Sequence, residues 1–331
     1  MNTPKSSPYS IILLSILFLF AGCSKQEQET IRIGVNPWPS HEYLFLGKEK
    51  GFFEDDNLSI ELVEYSSSGD LLRAFEWGQV QGMVCTATEI LLANSHTYDP
   101  LQVFLVMAYT EGTEVILGPK DCTSLADIKG RKIGVDTGSL GIYVLARALE
   151  QEGLKLGDIK IIPVNPMYMP SMIKNGTIEV AVCYQPFSHQ IQKEGEYNVL
   201  FASSQIPGEL FNMLALKKTT LEKNPGQVTQ LMKIWKRILD FEKANTQEVH
   251  AFMARREHTT LEDFESSLEK IKVITLEEQP PLLAPEGLVK ASLDRTESTL
   301  RYIGLLEEAI PTQELITESP LSMALSSSSS L

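Results

Sequence analysis

Three short loops rich in hydroxyls and glycine have the residue types to hold a small acidic group: Ser67-Ser68-Gly69, Thr86-Ala87-Thr88 and Thr137-Gly138-Ser139. Each stands just before a helical stretch. Each is therefore expected to lie at a helix N-terminus, where free backbone N–H groups and a partial positive charge suit a carboxylate, sulfonate or phosphate. The same hydroxyls also suit capping of their own helices. Trp38, between Pro37 and Pro39, offers a flat apolar face on a stiff loop, for a ligand or for packing at a lobe edge. Tyr184 and Gln185 follow a short apolar strand and are expected as a ligand wall and an orienting hydrogen-bond partner. Glu89, Glu111 and Asp136 pull the other way. Facing a ligand they would favour an amine or a ring N–H, although a solvated cap or surface position is the commoner role for each alone. An amino-sulfonate-like or amino-pyrimidine-like compound reconciles the two sets, whereas a bare inorganic anion leaves Trp38 unused.

Catalysis and metal binding have no comparable signal. The five histidines form no H-E-x-x-H array, and there is no G-x-S-x-G elbow. After Cys23 only Cys85, Cys122 and Cys183 remain, an odd number without zinc-knuckle spacing. Cys85 and Cys183 end equivalent apolar strands and are expected to be buried; a disulfide between them would tie two lobes shut. Neither a cofactor nor a metal is expected.

The elements that position these loops occur twice. Ile33-Gly34-Val35-Asn36 returns 100 residues on as Ile133-Gly134-Val135-Asp136, and the stretch from Gly78 to Cys85 returns 98 residues on, from Gly176 to Cys183. An apolar strand and a short helix lie between the members of each set. Two similar α/β units of nearly equal length suggest a clamp around a small ligand. Alternating strands and helices indicate a largely parallel sheet in each. From Thr219 onward the pattern is helical and is read as structural support.

Lys5 and an apolar run over residues 11–20, broken by Ser15, precede Ala21-Gly22-Cys23. The run has about half of the ~20 residues a spanning helix needs, so residues 1–22 read as a signal peptide. Cys23 is the expected lipidated N-terminus, followed by a polar tether to residue 30. Cleavage leaves 309 of the 331 residues, enough for two domains. With 43% hydrophobic and 22% charged residues the composition is that of a globular protein. A net charge of −14 argues against nucleic acid and against broad binding to anionic lipid.

Taken in order, Ile31-Arg32-Ile33-Gly34-Val35, the stretch from Gly47 to Glu54 and that from Ser124 to Val135 resemble solute-binding proteins of ABC importers. The similar branch is the nitrate/sulfonate/taurine type, which also includes thiamine-pyrimidine binders. The resemblance covers essentially residues 31–310. It implies an α/β, periplasmic-binding-protein-like (type II) fold: two α/β lobes joined by a two-crossing hinge near residues 111–117 and 206–212. The implied lobes are 31–113 with 209–320, and 114–208, leaving 321–331 as a disordered tail. Many relatives carry aspartate where Gln81 and Glu179 stand; these positions are expected at the strand entrances, away from the ligand. The implied function is capture of a small organic ligand, an amino-sulfonate or similar anion, by an extracytoplasmic, lipid-anchored monomer. That monomer would deliver it to a permease driven by a separate ATPase. A ligand sensor coupled to a membrane receptor is the alternative, and a pyrimidine-forming enzyme of the same fold a more distant one.

Overall fold

The computed structural model describes residues 29–328. The expected signal peptide, the lipidation site Cys23 and most of the tether therefore lie outside the described residues.

Eleven strands are described. The first lobe holds β1 (Ile31–Val35), β2 (Ile60–Glu64), β3 (Gly82–Cys85), β4 (Leu101–Thr110), β10 (Phe211–Lys217) and β11 (Ile271–Val273). The second holds β5 (Val115–Pro119), β6 (Lys132–Val135), β7 (Lys160–Pro163), β8 (Val180–Cys183) and β9 (Tyr197–Ala202). The sheet orders are β11-β4-β10-β3-β1-β2 and β7-β6-β8-β5-β9. The sequence repeat is visible in the pairing: β1 lies parallel to β2 and β3 as β6 lies parallel to β7 and β8. Gln81 Oε1 accepts from Arg32 N, and Glu179 Oε2 from Lys132 N, so one strand-entrance bond is made in both lobes.

The expectation of largely parallel sheets needs correction. β10 runs antiparallel between β3 and β4, and β5 antiparallel between β8 and β9. Each of these strands comes directly after a crossing between the lobes, so it enters its sheet from the hinge end and runs against the parallel trio of its lobe, β1–β3 or β6–β8. The crossings are residues 111–114 and 203–210, on either side of which the chain changes sheets.

Parallel strands buried on both faces explain the unbroken apolar runs. In β8, Val180 and Val182 join one buried cluster and Ala181 and Cys183 another, as period-two alternation requires. The first lobe has the larger core, to which the C-terminal helices contribute. Val228, Leu231 and Trp235 of the helix Pro225–Ala244 are buried there, and the Trp235 indole donates to Ile274 O at 2.9 Å. The tail expected to be disordered includes most of a helix, Ser319–Ser328. Leu321 and Ala324, one helical turn apart, are buried in the same core.

Candidate functional site

In parallel α/β sheets, ligands sit beyond the carboxyl ends of the strands. All six loops that leave β1–β3 and β6–β8 converge on one cavity between the lobes. From the first lobe come Asn36, Trp38 and His41 after β1, Ser68 after β2, and Cys85 with Thr86 at the end of β3. From the second come Asp136 and residues 139–141 after β6, Pro166 after β7, and Cys183 with Tyr184 at the end of β8. Glu114 at the first crossing and Asn212 on β10 complete the wall. The enclosed space is about 40 Å³.

The lobes meet across this cavity. Trp38 packs edge-on against Tyr184, with ring centroids 5.1 Å apart and planes at 76°. Trp38 is buried, and its Nε1 has no hydrogen-bond partner. At the rim, the Asn165 amide nitrogen reaches Ser66 Oγ and Asp70 Oδ2 at 3.2 Å each.

Carboxylates dominate the polar chemistry. Glu89 is fully buried rather than a solvated cap. Its Oε2 accepts from Thr86 N at 2.8 Å and Thr86 Oγ1 at 2.5 Å; its Oε1 accepts from Leu140 N, in the opposite lobe, at 2.9 Å. Asp136 is also drawn inside: it accepts from Gly138 N at 3.2 Å, and its carboxylate lies against Gly69 across the cleft. Glu114 Oε2 accepts from Thr113 Oγ1 at 2.5 Å and Ser203 Oγ at 3.2 Å, tying the two crossings together. Burial pushes all three carboxyls above their ordinary values, while these hydrogen bonds pull them back. Glu111 stays out of the cleft, bonded to the Tyr109 hydroxyl.

His41 is the remaining titratable group in the wall besides the two thiols and Tyr184. Burial lowers it to about 4, so its ring is neutral near pH 7; Nδ1 lies 3.0 Å from Asn36 O and Nε2 3.3 Å from the Asn212 amide. Cys85, Cys122 and Cys183 are buried and unpaired. No lysine or arginine is among the described residues lining the cavity.

The structure divides the expected site residues. Trp38, Ser68, Thr86, Ser139 and Tyr184 line the cavity. Ser67 caps its own helix, accepting from Asp70 N at 3.2 Å, and Thr88 is wholly buried with an unpartnered hydroxyl. Gly69 and Gly138 meet across the cleft through Asp136, while Thr137 is outside the lining. Gln185 turns away from the cavity and pairs with Ser267 of the other lobe at 2.5 Å. Sequence reasoning passed over Asn36, His41, Glu114 and Asn212. The repeat held a signal for some of the site: Asn36 and Asp136 are equivalent positions, as are Cys85 and Cys183, and all four face the cavity.

Two α/β lobes, two crossings and a cavity walled by the strand-end loops of both define the periplasmic-binding-protein fold. A model of the NMT1/THI5-like family matches residues 38–249, and the chain belongs to that family. It is 24% identical over 185 residues to the taurine-binding periplasmic protein of Escherichia coli (strain K12), covering 55% of this chain and 57% of that protein. It is 20% identical over 205 residues to the formylaminopyrimidine-binding protein of Halalkalibacterium halodurans, covering 60% and 62%. The chain thus matches little more than half the length of these curated relatives. Its fold matches that of the alkanesulfonate-binding protein SsuA from Xanthomonas axonopodis pv. citri, solved with MOPS bound. The TM-score is 0.73 at 18% identity, covering 88% of this chain and 99% of that one. Among the described residues no helix is long and apolar enough to cross a membrane.

Proposed function

We propose that this protein is the solute-binding component of an ABC importer, held outside a bacterial membrane by a lipid on Cys23. In this reading it captures a small amine- or N–H-bearing organic compound and releases it unchanged to a permease with a separate ATPase. The observation that carries the ligand class is the polarity of the cavity: Glu114 and Asp136 stand in its wall, His41 is neutral, and no cation lines it among the described residues. Buried carboxylates favour a positive or N–H-rich partner, because an unpaired charge in a low-dielectric site is costly. Trp38 and Tyr184 add an aromatic boundary suited to a flat or alkyl group. The two relatives above are named for taurine, which carries an amine, and for a formylaminopyrimidine, which carries an amide N–H.

An anion as the principal recognised group fits less well than the sequence suggested. Two of the helix N-termini expected to bind it already meet the chain's own carboxylates: Leu140 N is bonded to Glu89, and Asp136 stands against Gly69. A ligand that touches both lobes favours the closed arrangement over an open one, which is the state a permease would recognise.

Thermal unfolding of residues 24–331 against taurine, alkanesulfonates, nitrate, aminopyrimidines and amino acids tests this. A compound bound by the native state adds about 2.7 kcal/mol of stability at a hundredfold excess over its Kd. We expect an amine-bearing compound to do so, to be recovered unchanged, and to lose its effect in Asp136→Asn. An equal response to sulfonates lacking an amine, unaltered by Asp136→Asn, would refute the ligand class.

A further inference from the structure

A second cavity shares Trp38 as a wall with the first and lies against the first crossing at Gly112 and Thr113. Its volume is about 180 Å³, against about 40 Å³ for the first. The first cavity is thus the tighter of the two, with room for only a few water-sized groups, and the second is several times roomier. A solute larger than a short amine therefore has to part the lobes or extend past Trp38.

The two cavities have opposite polarity. No aspartate or glutamate is among the described residues lining the second. Of the neighbouring carboxylates, Glu111 is engaged with the Tyr109 hydroxyl and Asp263 with Thr260 and His189. What faces the space instead is a set of free donors. Lys270 is exposed and has no acidic partner among the described residues. Gln185 uses its Oε1 for Ser267 across the lobes, which leaves its amide nitrogen open. Ser188 is buried at the cavity wall and brings a hydroxyl to it. Val115 and Ile271 supply an apolar side for an alkyl linker.

We propose that this chamber is an anion subsite, in which Lys270, Gln185 and Ser188 receive a sulfonate, carboxylate or phosphate group. The group is either the acid end of the ligand whose amine lies in the first cavity or a free anion. Only the first source rests on the function proposed above. An ammonium among carboxylates on one side of Trp38 and an acid beside Lys270 on the other describe a zwitterion. Both lobes and the hinge contribute to the chamber, so its occupant favours the closed arrangement and is coupled to binding in the first cavity.

The test is calorimetric titration of residues 24–331 at constant ionic strength. The probes are sodium methanesulfonate and the ω-amino sulfonates with two, three and four methylenes, each also offered as the corresponding amine without the acid. Lys270→Glu is expected to weaken the sulfonate probes by about fivefold or more, since a charge-assisted contact becomes a repulsion. Lys272→Glu makes the same charge change at an exposed lysine paired with Glu278, and should leave them unchanged. Ser188→Ala should weaken them by a smaller factor.

If methanesulfonate alone shows this dependence, the chamber takes a free anion; if only the amino sulfonates show it, the chamber takes the ligand's acid end. Sulfonate and plain amine probes that bind alike in native and Lys270→Glu protein would overturn the subsite, as would an equal loss in Lys272→Glu. Amines that bind with Asp136 dependence while Lys270 has no effect would leave the function standing and remove the subsite. Methanesulfonate binding that depends on Lys270, with no response to any amine, would do the reverse.

Discussion

The Glu89 carboxylate of the first lobe accepts a hydrogen bond from the backbone N–H of Leu140 in the second, 2.9 Å away and 51 residues on in the chain. The same carboxylate closes the capping box of its own helix through Thr86. One side chain thus serves a helix terminus in each lobe. Glu89→Ala removes its three hydrogen bonds and leaves the backbone N–H groups of Thr86 and Leu140 unsatisfied. A loss of about 1–3 kcal/mol follows, measurable by urea unfolding. A larger radius of gyration for the unliganded variant in small-angle scattering would show that this bond helps hold the lobes together; an unchanged radius would reduce it to a cap.

Gly69 and Asp136 set how closely the lobes approach. A Cβ at Gly69 would come within 2.8 Å of Asp136 Oδ1, and that carboxylate is fixed in turn by Gly138 N. Gly69→Ala should therefore displace Asp136 or hold the cleft ajar. We expect roughly tenfold weaker ligand binding with little change in the unfolding midpoint, since the helix gains a better helix former. Unaltered affinity would mean that Asp136 shifts freely and does not position the ligand.

Trp38 carries a buried indole N–H without a partner and rests on Tyr184. Trp38→Ala loses an aromatic pair worth about 0.5–1.5 kcal/mol as well as the wall shared by both cavities. Ligand affinity should fall at least tenfold. Trp38→Phe keeps an aromatic surface and removes the N–H. Full retention by the phenylalanine variant would assign Trp38 to packing and not to hydrogen bonding.

Remote from the cleft, Glu42 and Glu64 share one guanidinium, and Glu257 is buried beside them. Arg256 Nε donates to Glu42 at 2.5 Å and its Nη2 to Glu64 at 2.6 Å, while one Glu257 oxygen is buried without a partner. Burial raises Glu257 to about 8, helped by the nearby Glu42 charge, and raises Glu42 to about 7. Both values lie above the ordinary 4.5, so the folded state binds these protons more tightly than the unfolded chain. Their contribution to stability is then complete below the unfolded value and is lost as pH rises through about 7 to 8. Glu257→Gln, which cannot ionise, should flatten this decline and gain about 2 kcal/mol over the native chain at high pH, read from denaturant midpoints across the range. A parallel decline in both proteins would show that Glu257 does not titrate there.

Much of the architecture was legible because it rests on local periodicity. Apolar runs marked strands buried on both faces, and the offset repeat paired β1 with β6 and β3 with β8 before any contact was known. The loops after those strands were legible for the same reason, and Trp38, Ser68, Thr86, Ser139 and Tyr184 do meet at the cavity. The C-terminal helix was missed because a run of serines outweighed the single-turn spacing of Leu321 and Ala324, whose burial depends on a distant core.

The sequence by itself determined two similar α/β units, their strand ends and the loops that leave them, since side-chain alternation and helix starts are set by neighbours along the chain. Tertiary structure alone decided that carboxylates occupy the helix termini on which an anion was expected to sit. Glu89 reads locally as an N-cap partner, and Asp136 as a turn residue. Only the placement of one lobe against the other brings Leu140 N to Glu89 and Gly69 against Asp136. That placement follows from two crossings and the packing across them, and no local spacing encodes it.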